Sequence, residues 1–148
     1  MDRLLVAGSR EWSDGDLIFE VLGRYPSTTT TVIDGQAPGA DKLAHWNASQ
    51  RLGMGWSRFP AYWGCGDYES DVGSPCELPD GRHHAIHGSA AGPIRNQRML
   101  DEGSPTEVLA FHDDIEHSKG TADMVARAKK VGLQVTLFSH KLPSGVVL

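Results

Sequence analysis

Three short glycine-bearing segments carry the residue types that hold phosphates. Gly8-Ser9-Arg10, Asp34-Gly35-Gln36-Ala37-Pro38-Gly39-Ala40-Asp41 and Ser118-Lys119-Gly120-Thr121 each follow an apolar or β-branched run and precede an amphipathic one. A strand-to-helix turn of this kind offers backbone N–H groups and the positive end of a helix dipole to an anion. Gly8, Gly35, Gly39 and Gly120 let the backbone approach closely, Ser9 and Thr121 add hydroxyls, and Arg10 supplies a forked cation. Asp41 is placed to accept from ribose hydroxyls. One such turn is ordinary; three at one edge of a sheet point to a phosphate-bearing ligand. Neither a G-x-x-x-x-G-K-[ST] loop nor a G-x-G-x-x-G fingerprint is present, which disfavours ATP hydrolysis and the standard dinucleotide mode.

Other candidates are of different kinds. Arg95 and Asn96 fall in the first turn of a helix predicted over 94–100, where a cation opposes the dipole and is best explained by an anionic ligand. The run 112–117 holds two histidines and three carboxylates and reads first as solvated loop, although such pairs can hold Mg²⁺ or transfer protons. Trp12 and Trp63 flank the mouth and are placed to stack on a base, whereas Trp46 and Trp56 are assigned to packing. Cys65, Cys76, His83 and His87 have a composition suited to a structural zinc, with H-x₃-H spacing between the two histidines. The absence of C-x₂-C leaves two reduced thiols in a loop as an equal alternative. No other cofactor is implied.

These residues need a frame. Short apolar strands at 4–7, 28–33, 55–60, 107–111 and 133–138 alternate with helical periodicity at 13–25, 39–52, 94–100 and 121–131. Ser13 is the expected cap of the first helix, and Gly132 stands where a helix C-terminal glycine belongs. Alternation of this kind predicts an α/β fold: a Rossmann-like parallel sheet of about five strands, order 3-2-1-4-5, with helices on both faces. The switch point lies between the first and fourth strands, and ligands in such sheets bind outside the strand C-termini there. Residues 64–90, rich in glycine and proline, form an irregular insertion.

The chain has 148 residues, 14 Lys plus Arg and 19 Asp plus Glu, for a net charge of −5. One domain over 1–148 is the natural count, with enough apolar residues to exclude general disorder. No run approaches a membrane span, and the early Gly8 breaks any signal core, so a cytoplasmic protein without membrane partners is expected. The acidic balance argues against nucleic acid and leaves a nucleotide-derived small molecule as the expected partner. A homo-oligomer remains open.

The strings GSR (8–10) with Trp12, DGQAPGAD (34–41), PAYW (60–63), AGPIRNQRM (91–99) and SKGTADM (118–124) occur in one order over nearly the whole chain. In this it resembles the YspA-related branch of the SLOG superfamily, similar in fold to the DNA-uptake protein DprA and to the lonely-guy phosphoribohydrolases. The resemblance implies binding of nucleotides or derivatives such as ADP-ribose or NAD. In the hydrolases a helix arginine and a loop glutamate act on the ribosyl phosphate. Arg95 matches the first, Met124 replaces the second, and Asp123 lies about 100° away around a helix. A methionine cannot transfer a proton. The leading expectation is therefore a binding module. The alternative is an N-glycosidic nucleotide hydrolase using Arg95 with Asp123 or Asp41 as acid, and the third reading is a DprA-like DNA-binding module.

Overall fold

The computed structural model describes residues 1–61 and 91–148. The 64–90 insertion and the zinc candidates Cys65, Cys76, His83 and His87 lie outside the described residues, as does Trp63. Among the described residues six strands form one sheet: β1 (Asp2–Gly8), β2 (Thr30–Asp34), β3 (Gly55–Arg58), β4 (Glu107–Phe111), β5 (Val135–Phe138) and β6 (Val146–Val147). Their order is β3-β2-β1-β4-β5-β6. The first five pair in parallel in the expected order, and β6 adds a short antiparallel edge against β5.

Alternation along β1 divides the core. Leu4 and Val6 face α1 (Gly15–Leu22) and α2 (Ala40–Trp46), packing on Ile18, Val21, Ala40 and Ala44. Leu5 and Ala7 face the other way, towards α3 (Ala91–Asp101) and α4 (Gly120–Lys130), and pack with Met99, Met124 and Ala128. A parallel sheet covered on both faces needs this continuous apolar strand, which is why Leu4 to Val6 are wholly buried.

Local details depart from expectation for physical reasons. Asp14, not Ser13, caps α1, its carboxylate accepting from Leu17 N at 3.0 Å. The helix expected over 39–52 is α2 followed by a π-helical segment, Asn47–Leu52. At the junction buried Asn47 donates its side-chain amide to Leu43 O at 2.9 Å and to Gly15 O at 3.3 Å, while its backbone N–H still bonds Leu43 O. Gly53, at φ +65, ends the segment. Trp46 and Trp56 are not core residues: they are 53% and 54% exposed, because each lies on an outward flank of the α2–β3 region. Among the described residues no helix is long and apolar enough to cross a membrane.

Candidate functional site

A crevice of about 870 Å³ opens at the C-terminal ends of β1 and β4, where the strand order reverses. Gly8, Ser9 and Arg10 form one lip, α3 contributes Arg95 and Asn96, and Gly120 with Thr121 begin α4 on the far side. Asp41 and Asp123 also reach its surface. Of the ten binding candidates, Gly35 and Gly39 do not line it.

Those two glycines instead let the protein pack against itself. Gly39 has φ +79, and a Cβ there would fall on Ser9 O and the Arg10 carbonyl. Gly8 is equally close to Phe111 O and the Ala40 methyl, and Ala40 N donates to Ser9 O at 3.1 Å. A Cβ on Gly35 would land on the Arg95 guanidinium. The β2 loop also spends its amides internally: Gly35 N and Ala37 N donate to Asp41 Oδ2 at 2.9 and 3.3 Å, and Gln36 N donates to Asp34 Oδ1 at 2.8 Å. Two carboxylates thus occupy the positions a phosphate would take. Asp41 is a loop anchor here, and a ribose hydroxyl is not needed to explain it.

Arg95 and Asn96 knit the crevice floor. Arg95 is buried, with its NH1 donating to Gly35 O and its Nε donating to Asn96 Oδ1 at 3.1 Å. Asn96 Nδ2 donates onward to Gly120 O at 3.2 Å and to Asp123 Oδ2 at 3.0 Å. Asp123 Oδ2 also accepts from Arg127 Nε at 2.8 Å. The chain of bonds ties the β2 loop, α3 and α4 together. The described part of α3 begins at Ala91, so Arg95 and Asn96 stand in a second turn rather than a first. The dipole argument for an anion at Arg95 therefore lapses; its burial and its carbonyl partner explain the residue. The proposed catalytic pair, Arg95 and Asp123, is brought near through Asn96, with both members engaged by protein groups.

The start of α4 behaves differently. Thr121 N donates to Ser118 Oγ at 3.1 Å, and Asp123 N to Lys119 O at 3.0 Å. Among the described residues the amides of Lys119 and Gly120 have no protein acceptor. A Cβ on Gly120 would meet nothing within 4 Å, and Gly120 faces the crevice. Open amides thus stand at a helix N-terminus, and Lys119 and Arg10 are among the residues that line the same crevice.

The 112–117 run is largely solvated loop, as expected, and four of its residues, His112, Asp113, Asp114 and His117, also line the crevice. His117 Nδ1 pairs with Asp114 Oδ1 at 2.6 Å, which raises the imidazole above its ordinary range and lowers the carboxylate. His140, which sequence reasoning passed over, lies between Asp113 and Asp14. Its ring stacks on Trp12 at 4.6 Å, so that this face of the indole is covered by the protein and not by a base. Nothing in the local spacing of His140 signals this; only the fold brings residues 14, 113 and 140 together.

Behind the β2 loop lies a second group that sequence reasoning missed. Asp34 is wholly buried, and Oδ2 has no hydrogen-bond partner; His45 Nδ1, also unpartnered, lies 3.5 Å away. Burial first, and then the nearby Asp41 charge, push the Asp34 carboxyl up to about 7. Burial and the Arg58 charge push His45 down. The β-branched run that marked β2 as a strand placed a charged residue at its end without revealing that it points inward. Among the described residues no group of three or more His, Cys, Asp or Glu could hold a metal ion.

The chain matches no protein-family model. It is 30% identical over 145 residues to the Gene 61 protein of Mycobacterium phage D29, covering 95% of this chain and 99% of that protein. The chain belongs to the Gene 61 protein family. Solved structures that share its fold include two DNA processing proteins. DNA processing protein A (DprA) from Streptococcus pneumoniae superposes with a TM-score of 0.62 at 20% identity, over 93% of this chain and 50% of that one. DNA processing protein A from Helicobacter pylori, whose structure addresses its single-stranded DNA binding mode, gives 0.65 at 12% identity, over 97% and 67%. This Gene 61 family member thus spans half the length of the pneumococcal protein. The Rossmann-like expectation holds. The expectation of a small-molecule partner with nucleic acid disfavoured does not, because a fold neighbour binds single-stranded DNA. Net charge sums over the whole surface, whereas a strand touches one edge of a sheet.

Proposed function

We propose that the crevice binds single-stranded DNA and grips a phosphate of the strand at the start of α4. The observation that carries this reading is the pair of amides at Lys119 and Gly120, open to the crevice and flanked by two cations. Phosphate contacts supply most of the affinity of such proteins and set the register of the strand. A flexible strand delivers one nucleotide into a concave mouth more readily than a stiff duplex does. Because His140 covers Trp12, base stacking contributes little in the crevice, and the binding is tolerant of sequence. The single-stranded DNA binding mode of the H. pylori fold neighbour supports the same reading. On this proposal residues 1–148 act as one binding domain. The five-motif string supports placement in the YspA-related branch of the SLOG superfamily.

The test is anisotropy titration of a labelled oligothymidylate and of a duplex of equal length, at several salt concentrations. The single strand should bind more tightly, and the double substitution Arg10→Ala with Lys119→Ala should flatten the log–log salt slope by about 0.7 per lost phosphate contact. Equal affinity for duplex, or an unchanged slope in the double variant, would overturn the proposal.

A further inference from the structure

His140 sits on the loop after β5, more than a hundred residues from one of its partners, and both of its ring nitrogens face carboxylates. Nε2 lies 2.7 Å from Asp14 Oδ2 at the cap of α1, and Nδ1 lies 2.8 Å from Asp113 Oδ2 on the loop after β4. The loop is held to Asp113 twice more, by His140 N at 2.7 Å and Ser139 Oγ at 3.1 Å, both donating to Oδ1. The ring is stacked on Trp12, whose Nε1 donates to Asp14 O at 3.0 Å. Trp12 and Asp113 both line the crevice.

A neutral imidazole has one N–H and one lone pair, so it can donate to only one of two ionised carboxylates. The imidazolium donates to both. Only the protonated ring satisfies this geometry, and its charge also offsets two negative charges beside a site that receives phosphate. We propose that His140 is a positioning residue which, as an imidazolium, ties the cap of α1 to the β4–α4 loop behind the crevice-lining Trp12 and Asp113, so that strand affinity falls as the ring loses its proton. The proposal rests on the single-strand reading of the crevice.

The surrounding charges are consistent with this assignment. Asp14 and Asp113 hold the ring above the ordinary histidine range, through hydrogen bonds first and charge second. Of the neighbouring groups, His112 faces Asp113 and Asp114, while Lys141 acts on Asp114 and His117. Among the described residues His117 is the other imidazole with an upward shift; it is hydrogen-bonded to Asp114, and the Glu116 charge also raises it. Because the folded value lies above the unfolded one, the clasp is complete below about pH 6.5 and is lost as pH rises through the folded value. Opening it strands a carboxylate and adds one negative charge to the wall.

The experiment follows two readouts across pH on the full chain, from about pH 6 to about pH 9. One is the Cε1 proton resonance of His140, assigned by its loss in His140→Gln. The other is oligothymidylate anisotropy at constant ionic strength. The His140 midpoint should lie above the ordinary histidine value, and affinity should fall about three- to tenfold across it, as expected for losing one charge close to a phosphate. The step should be absent in His140→Gln and should survive in His117→Gln. A His140 midpoint at or below the ordinary value overturns the clasp, and so does an affinity step that follows His117 instead. If no strand binds at any pH, the single-strand reading fails. In that case the resonance, read with Trp12 indole shifts through the same titration, still decides whether the wall is clasped.

Discussion

The loops after β2 and β4 look alike in sequence and are used in opposite ways. Each runs from a buried strand through glycine to a helix, and each carries two aspartates. In the β2 loop three successive amides, those of Gly35, Gln36 and Ala37, are taken by Asp34 and Asp41. In the β4 loop the aspartates turn away: Asp113 engages His140 and Asp114 engages His117, leaving the amides at Lys119 and Gly120 open. Glycine spacing marks a turn that is able to hold an anion. Whether the anion is the protein's own carboxylate or a ligand depends on what else competes for that carboxylate.

The largest effect expected from this contrast is at Gly39. Its positive φ and the proximity of Ser9 O leave no room for a side chain, so Gly39→Ala should cost about 3 kcal/mol in denaturant unfolding. A loss below about 1 kcal/mol would show that the crossing of the β1 and β2 loops is slack, and the closed side of the comparison would break.

Next is Asp41→Ala. It removes the acceptor of two buried amides and should destabilise by about 2 kcal/mol, the cost of leaving such donors unpaired. Hydrogen exchange at Gly35 and Ala37 should accelerate while β1 stays protected. Unchanged exchange would mean that another group holds the loop.

Much of the frame was legible because periodicity is local. The apolar run 4–7, the β-branched run before Asp34 and the glycine at 132 mark elements that the sheet and α4 realise. The edge strand β6 was missed because two paired residues carry too little pattern to detect. Arg95 was singled out as a first-turn cation best explained by an anionic ligand, whereas in the fold it stands in a second turn, buried, with the Gly35 carbonyl as its partner. Asp41 could have been read correctly, since an aspartate two residues into a helix is well placed to take the amides of the preceding turn. His140 could not, because Asp14 and Asp113 are distant in sequence and meet it only through the strand order; the Asp34–His45 pair joins β2 to the very next helix, and was missed because local pattern does not show that Asp34 points inward.

A third prediction concerns that buried pair. Asp34 binds its proton more tightly folded than unfolded, so its contribution to stability falls as pH rises from about 4 to about 7. Asparagine keeps an oxygen for Gln36 N and brings an N–H₂ for the unpartnered His45 Nδ1. Asp34→Asn should therefore stabilise the protein near neutral pH by about 1 kcal/mol and flatten the decline over that interval. Destabilisation at neutral pH would show that the Asp34 charge is needed by Arg58, which lies 3.6 Å from Oδ1.

The smallest stability effect belongs to Gly120, and it sharpens the comparison most. Its Cβ position is empty space, its φ is ordinary, and alanine is the better helix former, so Gly120→Ala should change unfolding by no more than about 0.5 kcal/mol in either direction. At Gly39 the same substitution fails because protein atoms fill the space. At Gly120 the space is open to the crevice, and a methyl group there stands beside the two amides proposed to meet a phosphate. Strand affinity should fall about tenfold, corresponding to about 1.4 kcal/mol, through a faster dissociation rate. The two measurements must separate, with stability unmoved and affinity reduced. If Gly120→Ala binds the oligothymidylate as the parent does, the phosphate does not approach α4 at this point. The open amides would then be ordinary helix ends exposed to water.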